Sequence, residues 1–152
     1  MRGLLVGVAA VAALAVAAPA ARADDASLKA AVQAEQPQFA SALTKFEKAA
    51  KHLSTMKGID KAKIATARLR NATQEYYNGV SVQQASTQEF ADARQHLLIG
   101  LVRYKEGLVL YRKALISLTH RHATQAKNRV KLAVRRFKTA GKEFLQAQIL
   151  VQ

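Results

Sequence analysis

The sequence predicts an all-α protein built as an up-down-up-down four-helix bundle with heptad, coiled-coil-like core packing. Apolar residues recur at alternating steps of three and four along almost the whole chain after residue 24, which places them on one face of a helix. No stretch alternates apolar and polar residues with period two, as a half-buried strand would. Only short segments separate the periodic stretches, and short connections favour antiparallel neighbouring helices.

The first helix is expected from about Asp25 to Lys57. Its apolar line starts at Leu28 and passes Pro37 without losing register, which favours one helix kinked at the proline over two separate helices. Gly58 then suits the position just past a helix end. Glu35 is a polar residue on this apolar line, and we interpret it as part of a frayed, exposed stretch beside the proline.

The second helix is expected to begin at Asp60, whose side chain can cap the first turn. It should stop at Asn78-Gly79, a pair that is typical of turns. The stretch 80–85 is then either a loop or a frayed continuation of the helix.

The third helix is expected from Thr87 to about Thr119. Ser86 and Glu89 have the spacing of a capping box, in which the serine oxygen accepts from the glutamate amide and the glutamate carboxylate reaches back. The tyrosines of this helix and Tyr76 are expected in the core with their hydroxyls at its rim. Three sets of residues repeat every seven positions on this helix: Phe90/Leu97/Tyr104/Tyr111/Leu118, Leu101/Leu108/Leu115 and Ala93/Gly100/Gly107/Ala114. A further apolar line, Val102/Val109/Ile116, widens the apolar face to roughly half the circumference, so this should be the most buried helix.

Gly100 and Gly107 need a physical reason, because glycine in a helix interior costs about 1 kcal/mol relative to alanine. We favour the close approach of a neighbouring helix, and space left for a ligand is the alternative. The most natural neighbour is the small-residue line of the fourth helix, formed by Ala126, Ala133, Ala140 and Ala147.

The fourth helix is expected from about Ala123 to Leu150. No Gly or Pro marks the connection at 119–122, so the break is inferred from a change in register. One continuous helix from Ser86 to the C-terminus would be about 95 Å long, and nothing would cover its apolar face.

Residues 1–23 are expected to be a cleaved export signal, and residues 24–152 a single helical bundle domain. An unbroken apolar run from Gly3 to Ala18 is followed by Ala21-Arg22-Ala23, the small-x-small pattern after which signal peptidases cut. The run is short of the roughly 20 residues that a spanning helix needs, so an uncleaved anchor is the weaker alternative. We therefore expect an exported bacterial envelope protein, extracellular or periplasmic, with no transmembrane segment after cleavage.

Positive charge dominates the C-terminal part of the chain. The sequence has 24 Lys and Arg against 10 Asp and Glu, and no acid lies between Gly107 and Lys142. A solvated helix usually mixes signs, so an acid-free row predicts an anion-binding site, with a merely solubilising face as the alternative. The predicted site has steps of four, four, three and four residues on one helix face: Lys127, Lys131, Arg135, Lys138 and Lys142.

Other kinds of site find little support in the sequence. The absence of Cys excludes disulfides, Cys-ligated zinc, iron–sulfur clusters and thiol nucleophiles. The chain contains no His pair at i, i+4 and no Glu-x-x-His motif, so we expect no metal and no cofactor. The acids form no catalytic constellation, and we expect no enzymatic activity. The histidines considered are His52, His96, His120 and His122.

The sequence thus predicts a non-enzymatic exported bundle whose basic C-terminal hairpin binds envelope lipid head groups, a wall polymer or a polysaccharide. Nucleic acid is not expected, because no aromatic residue interleaves the basic row and an exported protein seldom meets a genome. One alternative is a structural or oligomerising helical module, which would expose an apolar stripe. Another is a carrier of a small apolar ligand, which would need a cavity beside Gly100 and Gly107.

Export is directly testable by mass spectrometry. Protein recovered outside the cytoplasm of the producing bacterium should have an intact mass that begins at Asp24, because Ala21 and Ala23 fit the recognition pattern of signal peptidase. Recovery of chains that still begin at Met1 in the membrane fraction would contradict this expectation.

Overall fold

The structure, a computed structural model, describes residues 23–149 as four α-helices without a strand in that range. They are α1 (Ala23–Ala50), α2 (Met56–Ser81), α3 (Gln88–Thr119) and α4 (Ala123–Ile149). Each helix packs against the next one along the chain, so the predicted four-helix bundle is confirmed. The predicted signal, apart from Ala23, lies outside the described residues. Within them, no helix is both long and apolar enough to cross a bilayer.

The core is built from the heptad positions that the sequence indicates. Phe39 of α1 packs edge-on against Tyr76 of α2 and Tyr104 of α3, with ring centroids 5.8 and 5.5 Å apart. Phe46, two turns further along α1, meets Tyr111 of α3 at 5.3 Å. These ring contacts tie α1 to both α2 and α3.

Two glycines of α3 bring α4 close. A Cβ built on Gly100 would lie 2.6 Å from a ring carbon of Phe144, and one on Gly107 would lie 2.5 Å from Phe137. The expected role in close packing is therefore right, but phenylalanine rings, rather than the alanine line, occupy the hollows. The alanine line of α4 is also buried, as predicted. The hollows are filled, which removes the space that a ligand beside the glycines would need.

The first connection differs from the prediction. Helix α1 ends at Ala50 rather than Lys57, and Thr55 caps α2 by accepting a hydrogen bond from the Gly58 amide at 3.1 Å. Gly58 lies in the first turn of α2, where a Cβ would fall 1.6 Å from the carbonyl oxygen of His52. Because Gly58 has no side chain, the backbone of the connection can pass close to the first turn of α2. The prediction that Gly58 follows the end of α1 is wrong.

Asp60 is likewise inside α2 and does not cap it. Its carboxylate pairs with Lys63 one turn later, with Oδ1 and Nζ 3.1 Å apart. The cap is at Thr55, five residues earlier, so the predicted start of the helix was too late.

Helix α1 runs through Pro37 as one helix, which confirms the prediction from register. Glu35 is not in a frayed, exposed stretch: it is half-buried, and its Cγ lies 3.0 Å from the place of a Cβ on Gly79 of α2. Helix α2 continues through Asn78 and Gly79 to Ser81. The pair does not stop the helix, and Gly79 instead makes room for the side chain of Glu35.

The connection between α2 and α3 is held by the first residues of α1. The buried Asp25 accepts from the Ser86 amide at 2.8 Å and from the Thr87 hydroxyl at 3.3 Å. Asp24 accepts from the Ser86 hydroxyl at 2.9 Å. The N-cap of α3 is Thr87, without a side-chain capping bond, so the predicted capping box of Ser86 and Glu89 is wrong. Its serine is bound to α1 instead.

The predicted break between α3 and α4 is confirmed, although no glycine marks it. Arg121 has a φ of 59°, the left-handed conformation that usually falls to glycine. The His122 amide donates to the Ser117 carbonyl at 2.8 Å, and the Arg121 amide donates to Leu118 at 3.1 Å. These two bonds form a Schellman motif, which ends α3 and lets α4 turn back along it.

Replacing Asp25 with alanine should destabilise the bundle by about 1–3 kcal/mol, because the Ser86 amide and Thr87 hydroxyl lose a buried acceptor. Asp24→Ala is the matched control and should cost less, since its bond to Ser86 is exposed. Denaturant unfolding followed by circular dichroism measures both. Equal effects of the two variants would contradict the structural role of Asp25.

Candidate anion-binding face

Five cations line the outer side of α4, where the sequence predicts them. All five side chains are exposed. The first and last of them are fifteen residues apart, so the row is about 22 Å long at 1.5 Å per residue. We call this row the basic face, formed by Lys127, Lys131, Arg135, Lys138 and Lys142.

The packing of α4 on α3 determines the direction of the basic face. Phe144 and the alanine line are buried against the bundle, and the basic face turns away from them. At 100° per residue the five cations span about 80° of the helix circumference. The row is therefore presented by a rigid helix whose opposite side is in the core.

The other two arginines of α4 have a different role. Arg136 pairs with Glu106 of α3, with Nε and Oε2 3.2 Å apart. Arg129 donates to the Lys113 carbonyl at 3.1 Å and to the Ser117 hydroxyl. Both arginines thus fasten α4 to α3 beside the core.

Two acids of α3 and α4 form ion pairs at the contact between these helices. Glu106 also pairs with Arg103 at 3.1 Å, and Glu143 pairs with the Nδ1 atom of His96 at 2.7 Å. In contrast, none of the side chains of the basic face forms an ion pair within residues 23–149. The charges of the basic face are therefore exposed to solvent and available to an anionic partner.

Tyr76, Tyr104 and Tyr111 are buried in the core and are not part of the basic face. The Tyr104 hydroxyl is buried without a hydrogen-bond partner among the described residues, so its predicted place at the rim is wrong. Burial, followed by the charge of Glu47, raises its pKa well above the ordinary value. Burial, followed by Glu35, also raises the pKa of Tyr76. Burial alone raises the pKa of Tyr111 to about 12, so all three hydroxyls stay protonated at neutral pH.

An open depression of about 320 Å³ lies beside the Glu106–Arg136 pair, with Lys105, Val109 and Leu110 around it. No group of three or more His, Asp or Glu within residues 23–149 could hold a metal ion. His96, one of the histidines considered from sequence, instead contacts Glu143 between two helices.

Exposed large apolar residues are dispersed over the described surface. On α4, Leu132 and Leu145 are thirteen residues apart and lie about 140° apart around the helix. The others are on α2, at its C-cap and on α3, and they form no helical stripe with these two: Met56, Ile64, Val82 and Ile99.

Comparison of the chain with protein families, with curated proteins and with solved structures gives no match.

Proposed function

We propose that the protein is an exported, non-enzymatic bundle that binds an anionic surface or polymer of the cell envelope through the basic face of α4. One observation carries this proposal: five exposed cations follow one another along a rigid helix, with no acid paired to any of them in the described structure. Like charges in such a row repel one another, and an anionic partner removes that repulsion.

The contrast within α4 strengthens this interpretation. Arg129 and Arg136 show that cations serving the fold find carbonyl, hydroxyl or carboxylate partners on α3. The cations of the basic face have none of these roles, and their exposure leaves them able to attract phosphate, carboxylate or sulfate groups over a distance.

The two alternative functions have less support. A carrier of an apolar ligand would use the hollows beside Gly100 and Gly107, and Phe144 and Phe137 fill them. An oligomerising module would display a continuous apolar stripe, whereas the most exposed apolar residues are dispersed and the line Val102, Val109 and Ile116 on α3 is half-buried.

Removal of two charges from the basic face should weaken binding to an anion. In low salt the mature protein should bind inorganic polyphosphate and vesicles containing phosphatidylglycerol, and the Lys131→Gln/Arg135→Gln variant should bind both several-fold more weakly. Binding should fall as salt rises, because exposed charges more than about 10 Å apart are largely screened at 0.1 M. Cosedimentation and titration calorimetry measure these affinities.

The matched control is Arg68→Gln/Arg70→Gln, which removes the same charge from exposed positions midway along α2. This variant should retain most of the binding. If it loses as much as the α4 variant, total charge rather than the basic face is responsible. Absence of binding by the wild type to both probes at low salt would overturn the proposal.

A further inference from the structure

Charge is separated along the axis of the bundle. Antiparallel packing brings the α1–α2 connection (51–55) and the α3–α4 connection (120–122) to one end, which we call the cationic end. The half of the bundle next to this end, residues 38–68 and 105–136, carries 16 Lys and Arg and 3 Asp and Glu. The other half, residues 24–37, 69–104 and 137–149, carries 6 and 7.

The three acids in the cationic half do little to offset its exposed charge. Asp60 is paired with Lys63, and Glu106 is paired with arginines of α3 and α4. Glu47 is half-buried on α1, where its charge helps to raise the pKa of Tyr104. The cations around the two connections are exposed: Lys48, Lys51, Lys57, Arg112, Lys113, Arg121 and Lys127.

An apolar side chain lies among these cations. Met56, the first residue of α2, is 56 % exposed and precedes Lys57. The Thr55 cap and the close approach of Gly58 to His52 hold its backbone in place. A cationic surface with a protruding apolar side chain is the combination that peripheral proteins present to an anionic bilayer.

The far end carries nearly balanced charge. Asp24 and Asp25 lie there beside the α2–α3 connection, and Glu89 and Asp92 are in the first turns of α3. An anionic surface therefore attracts the cationic end more strongly than the far end, where Lys29 and Arg94 accompany the acids. This difference orients the molecule before contact.

We propose that the cationic end docks on an anionic lipid bilayer, with the bundle axis tilted towards α4 so that the basic face also meets the head groups. The proposal rests on the proposed function and adds the partner and the orientation. A bilayer fits better than a single polymer chain, because it extends in two dimensions and reaches both connections at once. It also offers an interface that Met56 can enter.

Orientation is testable with tryptophan, which the chain lacks. Met56→Trp places a fluorophore at the cationic end, and Val82→Trp places one at the far end, where Val82 is 74 % exposed. With phosphatidylglycerol vesicles, emission of the first variant should shift to shorter wavelength and be quenched by brominated lipid, while emission of the second stays unchanged. Equal responses of the two, or a response only from Val82→Trp, would overturn the orientation.

Charge variants separate this inference from the proposed function. Lys51→Gln/Lys57→Gln should weaken vesicle binding by roughly thirty-fold, since each basic residue near an anionic membrane strengthens binding about five-fold. Arg68→Gln/Arg70→Gln is again the control, with the same loss of charge. Suppose that Lys51→Gln/Lys57→Gln binds vesicles as the wild type does, while Lys131→Gln/Arg135→Gln does not. Docking through the cationic end is then refuted, and binding through the basic face is retained.

Polyphosphate provides the second distinction. If the wild type binds polyphosphate but does not bind vesicles, the bilayer is not the partner, and the proposed function is unaffected. A wild type that binds neither overturns both.

Discussion

Phe137 and Phe144 fill the hollows that Gly107 and Gly100 leave on α3, and this contact sets the position of α4. The two helices come close because the glycines have no side chains. The cost of two glycines in a helix is offset by the packing of two aromatic rings, Phe144 buried and Phe137 half-buried. Because α4 is seated at this depth, its alanines become buried and its arginines at 129 and 136 reach partners on α3.

The same contact accounts for the distribution of charge. Glu106 and Glu143 are occupied at the α3–α4 boundary, by arginines and by His96 respectively. The cations of the basic face point the other way, where the described structure offers them no acid. Helix α4 buries its alanine line against α3 and pairs Arg136 with Glu106 beside the core. The cations on its outer side are left without a paired acid in the described structure. The proposed function uses what the packing leaves free.

Sequence reasoning succeeded where side-chain period decides the outcome. The heptad positions of α3 and α4 could be predicted because a helix repeats its faces regardless of its neighbours. Helix ends were less predictable, since they depend on distant residues. Gly79 stays helical with Glu35 of α1 packed over it, and Ser86 is bound by aspartates more than sixty residues away. Local turn and capping signals at these places were genuine patterns overridden by tertiary contacts.

The candidate site was predictable in part for the same reason. The basic face follows from spacing on one helix, but the cationic end joins residues of two connections that are far apart in sequence. In the sequence, the excess of positive charge lies in the C-terminal part, which forms α3 and α4. In the folded bundle, the excess lies at one end, to which all four helices contribute. Only the antiparallel fold places Lys51 and Arg121 at the same end.

A double-mutant cycle at the α3–α4 contact tests the central claim most directly. Gly107→Ala should destabilise the bundle, because the new methyl group meets the Phe137 ring at 2.5 Å. In the Phe137→Leu background the same change should be neutral or stabilising by up to about 1 kcal/mol, the gain in helix propensity. The account predicts a coupling free energy of about 1 kcal/mol or more from denaturant unfolding. Equal effects of Gly107→Ala in both backgrounds would contradict it.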